Sequence, residues 1–145
     1  MHALSSRNAF IAQALTYGGV LPLVFAIMAQ YLKLPGIDAL TLSRSYAALI
    51  ISFICGTHWG MFVFHSNKCP HNLLITSTFT AMAGWASVLL PDAKIALVMQ
   101  SLCFLYLMVL DYRMKRSGLI PTWYYALRHN ATAIVIFCIF MLELS

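Results

Sequence analysis

Five long apolar segments, separated by short polar dividers, constrain the fold of this chain more than any other feature. They cover residues 10–32, 46–65, 73–90, 93–110 and 124–144. Each contains about 18 to 23 residues, which at a rise of 1.5 Å per residue matches a bilayer core of roughly 30 Å. Proline and glycine in the dividers supply turn signals. The pattern predicts an all-α integral membrane bundle of five transmembrane helices.

The composition agrees with this class. Only 9% of the 145 residues are charged, whereas a soluble domain carries roughly a quarter. Five spans leave no room for a separate soluble domain, so we expect one transmembrane domain over residues 1–145. The net charge of +5 falls in short loops and forms no polybasic run. We therefore expect the lipid bilayer, and no nucleic acid, as a partner.

The distribution of basic residues predicts the orientation, because Lys and Arg are more frequent in cytoplasmic loops. In the five-span arrangement one side holds Arg7, Lys68, Arg113, Lys115, Arg116 and Arg128, and the other holds Lys33, Arg44 and Lys94. This bias places the N-terminus in the cytoplasm and the C-terminus in the periplasm. The first apolar run exceeds the length of a signal-peptide core, and no transit sequence precedes it. We expect a multi-pass protein of the bacterial inner (cytoplasmic) membrane.

A histidine lies deep in the second segment, within the stretch "FICGTHWGMFVF". In the predicted orientation His58 lies in the cytoplasmic half of the bundle. An unpaired polar group is costly in hydrocarbon, so the imidazole should face the interior and form hydrogen bonds there. Asp111, Arg128 and the Tyr and Thr hydroxyls are candidate partners. For Arg128 the first expectation is that it extends toward the interface as a membrane-edge anchor; the alternative is that it pairs with Asp111 across the bundle.

The candidate binding site is a polar cluster in the cytoplasmic half, made of Tyr17, His58, Trp59, Asp111, Arg113, Trp123, Tyr124 and Arg128. Tyr124 and Arg128 are four residues apart and share a helix face. Gly56 and Gly60 have the spacing that lets two helices approach closely, so they are predicted to form a helix-packing face. His58 points about 200° away from Gly56 and lies on another face.

Familiar catalytic and metal-binding patterns are missing from the sequence. It contains no GxSxG or HExxH motif, so no catalytic residue is assigned. Structural zinc needs a fuller set of Cys and His ligands, so no metal is predicted. No cofactor is expected, although haem bound through His58 is an alternative. The four cysteines form no CxxC pair and are predicted to be packing residues.

The segments "YAALIISFICGTHWG", "LDYR" and "P-x-WYYALR" resemble a domain-of-unknown-function family of small multispan membrane proteins. That family includes mitochondrial transmembrane protein sixty-nine. The resemblance covers residues 14–132 and is most specific at Tyr46, Gly56, His58, Trp59, Gly60, Asp111, Arg113, Pro121, Trp123, Tyr124 and Arg128. It implies an integral inner-membrane protein of bacterial type and carries no agreed biochemical activity.

Three functional hypotheses follow. The first is an interaction or accessory protein of an energy-transducing membrane, with other membrane subunits or further copies of itself as partners. The second is a binding or transport module that takes a small ligand, a lipid or a tetrapyrrole at the polar site. The third is a membrane enzyme that uses His58 and Asp111.

Overall fold

The structure is a computed structural model that describes residues 6–144. Every regular element in that range is helical. The helices are α1 (Ser6–Gly18), α2 (Leu21–Tyr31), α3 (Ala39–His65), α4 (Leu73–Val88), α5 (Ala93–Arg116) and α6 (Thr122–Leu144), with a 3₁₀ turn at Ser66–Lys68. The predicted all-α architecture is therefore confirmed.

Three helices begin at side chains that accept hydrogen bonds from the first free backbone N–H groups. Asp38 accepts from the Thr41 N–H at 3.1 Å, Asn72 from the Leu74 N–H at 3.0 Å, and Asp92 from the Lys94 N–H at 2.8 Å. Such caps satisfy donors that have no partner inside the helix. The cap at Asp38 explains why α3 begins at Ala39, seven residues before the predicted start of the second segment.

The first apolar segment is broken into α1 and α2. The break lies at Gly19 and Val20, and Pro22 occupies the first turn of α2, where its missing N–H costs no helical hydrogen bond. The Tyr46 hydroxyl on α3 donates to the Gly19 carbonyl oxygen at 2.7 Å. A tyrosine of the neighbouring helix therefore satisfies a backbone group freed by the break.

Helix α3 packs against α2, α4, α5 and α6 and lies at the centre of the bundle. It lies close to α4 at Gly84, where a Cβ atom would lie 3.0 Å from Ile51 Cγ2. Ile51 and Phe104 are fully buried in the main apolar core. Gly84 therefore allows α4 to lie against the middle of α3.

Four stretches are long and apolar enough to cross a membrane: Arg7–Tyr31, Ala39–Lys68, Ala93–Arg116 and Thr122–Leu144. The third predicted segment forms α4, an apolar helix of only 16 residues. At 1.5 Å per residue it measures about 24 Å, which is shorter than a bilayer core of roughly 30 Å. The prediction of five full-length spans is therefore corrected to four candidate spans and one shorter apolar helix.

Large apolar side chains point outward around the bundle. Phe64, Phe53 and Leu15 are 81%, 74% and 72% exposed, respectively. In water this much exposed apolar surface would be unfavourable. In a membrane the same side chains contact the hydrocarbon of the lipid bilayer. The outer surface therefore agrees with a membrane protein.

Candidate functional site

Asp111, near the C-terminal end of α5, joins three helices through its two carboxylate oxygens. Its Oδ1 lies 2.9 Å from His58 Nε2 on α3, and its Oδ2 lies 2.9 Å from Arg128 Nε on α6. The three residues are 4%, 0% and 8% exposed, respectively. This group, called the Asp111 network below, brings together three of the predicted site residues.

Arg128 makes further contacts beside the carboxylate. Its Nη1 donates to the Thr57 hydroxyl at 3.0 Å and to the Tyr124 hydroxyl at 3.4 Å. The guanidinium also lies over the Tyr124 ring, 5.7 Å from its centroid, a distance that allows a cation–π attraction. Its Nη2 is buried and has no hydrogen-bond partner.

The hydrogen-bond pattern gives the donor and acceptor roles within the Asp111 network. An ionised carboxylate only accepts hydrogen bonds, so the His58 Nε2–H donates to Asp111. The other ring nitrogen, Nδ1, is buried without a partner. Within the network the Asp111 carboxylate and the Arg128 guanidinium form a one-to-one ion pair. This balance suits a site where an uncompensated charge would be costly.

An open groove lies beside the network, between the α1–α2 break, α3 and α6. Its volume is about 370 Å³, within the usual range for small-molecule sites. Arg128 and Tyr124 form part of its wall. Most of its remaining wall is apolar and includes Leu15, Val20, Ile50, Phe53, Phe104 and Val135. The groove therefore has a long apolar part and a polar end that the Asp111 network fixes in place.

Several predicted site residues lie away from this group. Trp59 is 48% exposed and its indole N–H donates to Thr78 of α4 at 3.1 Å. Arg113 is exposed at the end of α5, and Tyr17 is 42% exposed on α1. Trp123 contacts Tyr124, with ring centroids 5.7 Å apart. Helix rotation therefore separates these residues from the Asp111 network.

Gly56 and Gly60 do not lie against another helix of this chain. A Cβ atom at either position would meet no atom within 4 Å, so the predicted packing face looks outward. The glycine at which two helices of the chain meet closely is Gly84, which sequence reasoning missed. Its signal would have been a small residue among larger ones in α4.

Sequence reasoning also missed Thr57 and a second polar group. The Thr57 hydroxyl donates to the Ile54 carbonyl oxygen, which is common for Thr in a helix, while its lone pair accepts from Arg128.

A second polar group lies toward the opposite ends of α3 and α5. The Gln100 Nε2 donates to the Arg44 carbonyl oxygen and to Ser87 Oγ, both at 2.8 Å. A glutamine within an apolar segment was the available signal for this group.

The loop between α3 and α4 contains a histidine close to the Asp111 network. Burial, together with the positive charge of Arg113 and the proximity of His58, lowers the pKa of His71 from its usual 6.5. Its Nε2 is buried without a partner. Within residues 6–144, no group of three or more His, Cys, Asp or Glu side chains is arranged to hold a metal ion.

These features define a class: a small helical protein with four candidate membrane-spanning helices and a buried Asp–Arg–His network beside an open, mostly apolar groove. The chain belongs to the family described as protein of unknown function (DUF3429). The model of this family matches residues 9–144. Nothing in this match links the family to mitochondrial transmembrane protein sixty-nine, so that relationship stays a prediction. No curated protein and no solved structure matches the chain.

Proposed function

We propose that the protein is a membrane-embedded binding module for a small lipid-like molecule, which enters the groove from the bilayer. The observation that carries this proposal is the groove itself. Its apolar wall is open toward lipid, and it ends at two hydrogen-bonding side chains, Arg128 and Tyr124. Ligand sites commonly combine an apolar cleft with a few fixed polar groups.

The dimensions of the groove support an elongated ligand. Tyr124 and Val135 both line it, and eleven residues of helix separate them by about 16 Å along α6. Tyr124 lies near the start of α6, whereas Val135 lies in its middle. A molecule with a polar head at the membrane edge and an apolar tail directed toward the bilayer centre fits this arrangement.

A matched pair of variants tests the proposal. Ala131 lines the groove, whereas Ala133 is exposed on another face of α6. Ala131→Phe should fill the groove, and Ala133→Phe adds the same ring elsewhere. Native mass spectrometry of protein extracted in mild detergent should show a retained small molecule in the wild type and in Ala133→Phe, and none in Ala131→Phe. Equal retention in both variants would contradict binding in the groove.

A second function, as an interaction or accessory protein of an energy-transducing membrane, is favoured by the outward-facing glycines. Gly56 and Gly60 lie on α3 with open space above them, a surface on which a helix of another subunit or a second copy could lie closely. Co-purification in mild detergent tests it: partners bound by the wild type should be lost from Gly56→Ile/Gly60→Ile. Retention of the same partners by this variant would exclude the glycine face.

We further propose the bacterial inner membrane as the location, with the N-terminus in the cytoplasm and the C-terminus in the periplasm. The basic residues near the Asp111 network support this orientation, since Arg113, Lys115 and Arg116 all lie in the last turn of α5. In this orientation α4 crosses the membrane despite its length, and the groove's polar end lies in the cytoplasmic half.

A further inference from the structure

We propose that the ligand of the groove carries an uncharged carbonyl group, as an ester or a quinone does, and that this carbonyl accepts hydrogen bonds from Tyr124 and Arg128. The inference rests on the proposed function and narrows its ligand to one chemical class. Two independent observations carry it: which hydrogen-bonding groups the groove leaves available, and the charge of the network behind them.

The first observation concerns hydrogen-bond donors. Tyr46 and Thr16 line the groove, but their hydroxyl hydrogens are already donated to the carbonyl oxygens of Gly19 and Ala12, both at 2.7 Å. The Tyr124 hydroxyl accepts from Arg128 Nη1, so its own hydrogen remains available to donate.

Arg128 adds further donors at the same end. Its Nη2 has no partner, and a guanidinium has N–H donors but no acceptor. Tyr124 and Arg128 therefore both offer hydrogen atoms at the polar end of the groove. A ligand group that accepts hydrogen bonds, such as a carbonyl oxygen, complements them.

The second observation concerns charge. A carboxylate or phosphate head would also accept these hydrogen bonds, but it would bring an additional negative charge. The charge of Arg128 is already balanced by Asp111 at 2.9 Å, and an anion bound at Arg128 would lie beside that carboxylate. A buried anion would then have no counter-charge of its own, and an uncompensated charge is costly away from water. The network therefore favours a neutral acceptor over an anionic one.

The test uses two photoactivatable probes that share one alkyl chain with a diazirine group. One ends in a methyl ester and the other in a carboxylate, and both are added at alkaline pH so that the acid is ionised. The full-length protein is kept in lipid nanodiscs, and labelled residues are mapped by peptide mass spectrometry. We expect the ester to label the groove segments of α3 and α6 at about tenfold lower concentration than the carboxylate.

Two conservative variants separate hydrogen bonding from packing. Tyr124→Phe removes only the hydroxyl and should weaken labelling by the ester by about tenfold, as expected for one lost hydrogen bond. Tyr125→Phe makes the same change on a neighbouring residue that does not line the groove and should leave labelling unchanged. Equal labelling of the wild type and Tyr124→Phe would overturn the assigned contact.

Failure of the carbonyl inference and failure of the proposed function give different experimental outcomes. Groove labelling by the carboxylate at equal or lower concentration than the ester would overturn the carbonyl assignment and leave a binding groove. The absence of labelling by both probes, or labelling that persists in Ala131→Phe, would overturn the proposed function. Displacement of the ester probe by an unlabelled glycerolipid ester or by an alkylquinone would support the inference, and the more effective competitor would identify the source.

Discussion

Arg128 Nε and Asp111 Oδ2 lie 2.9 Å apart and join α6 to α5 within the apolar part of the bundle. The same carboxylate also accepts a hydrogen bond from His58 of α3. One acidic side chain thus fixes the relative positions of three helices. It also holds Arg128 at the end of the groove, so the stability of the bundle and the shape of the site depend on the same contacts.

The first prediction concerns this ion pair. Arg128→Met leaves the Asp111 carboxylate buried without a cation, which should lower the free energy of unfolding by about 3–5 kcal/mol. The double variant Arg128→Met/Asp111→Leu removes both charges and should be less destabilised than the sum of the two single variants. Unfolding in mixed micelles, followed by circular dichroism, measures all four proteins. Additive effects would show that the two charges are not coupled.

The second prediction concerns His58. His58→Ala loses the hydrogen bond to Asp111 and leaves a cavity at a fully buried position, so it should cost about 2–4 kcal/mol. His58→Gln has an amide nitrogen that can replace the Nε2–H donor and should recover part of this loss. The same unfolding assay compares the two variants. If both are equally destabilised, the hydrogen bond to Asp111 contributes little and packing alone accounts for the buried imidazole.

Much of the polar site could be predicted, because a charged or polar side chain in an apolar segment is costly unless it forms an ion pair or a hydrogen bond. Asp111, Arg128 and His58 lie in or at the ends of predicted spans, so mutual pairing was one of the arrangements considered, beside Arg128 as a membrane-edge anchor. Tyr124 followed from its spacing to Arg128 on one helix face. Thr57 could not be predicted in the same way, because its hydroxyl also bonds to its own helix and its second interaction is with a residue 71 positions away.

Other features depend on tertiary geometry that the sequence pattern does not contain. Trp59 is adjacent to His58 in the chain, but helical rotation directs it to Thr78 of α4. The groove depends on the break between α1 and α2, and on the bond from Tyr46 that supports it. Hydropathy predicted where the third apolar segment lies but not how long its helix is. Helix α4 ends at Val88 and is therefore shorter than the full-length spans.

The third prediction compares a glycine that lies against another helix, Gly84, with one that faces open space, Gly56. Gly84→Ala places a methyl group about 3.0 Å from Ile51 Cγ2 and should cost about 1–3 kcal/mol through overpacking. Adding Ile51→Ala makes room, so the double variant should cost less than the sum of the two single variants. Gly56→Ala is the matched control, because its methyl group meets open space and gains helix propensity of up to about 1 kcal/mol. Similar losses at both glycines in the isolated protein would contradict the packing.

The fourth prediction concerns the pH dependence of stability through His71. Because burial lowers its pKa from 6.5 in the folded protein, the unfolded chain binds a proton at pH values where the folded chain does not. The stability gained from neutral His71 should therefore be present above about pH 6.5 and be lost as the pH falls toward the lowered folded value. His71→Asn should reduce this dependence of the free energy of unfolding on pH, as measured by unfolding across that range. His65→Asn, at an exposed position, serves as the control and should keep it.

The fifth prediction concerns orientation. If α4 crosses the bilayer together with the four longer stretches, the two termini lie on opposite sides. A reporter that is active only in the cytoplasm should then work when fused to the N-terminus and fail when fused to the C-terminus. Activity at both termini would show that α4 does not cross, and it would place both ends on the cytoplasmic side.

The most direct measurement of the central claim is a crystal structure of the protein grown in a lipid mesophase. We expect elongated density in the groove along α6, with its polar end within hydrogen-bonding distance of the Tyr124 hydroxyl or the Arg128 guanidinium. His58, Asp111 and Arg128 should keep the contacts described above. A groove closed by direct packing of the α1–α2 break on α6, with Arg128 released from Asp111, would contradict the account.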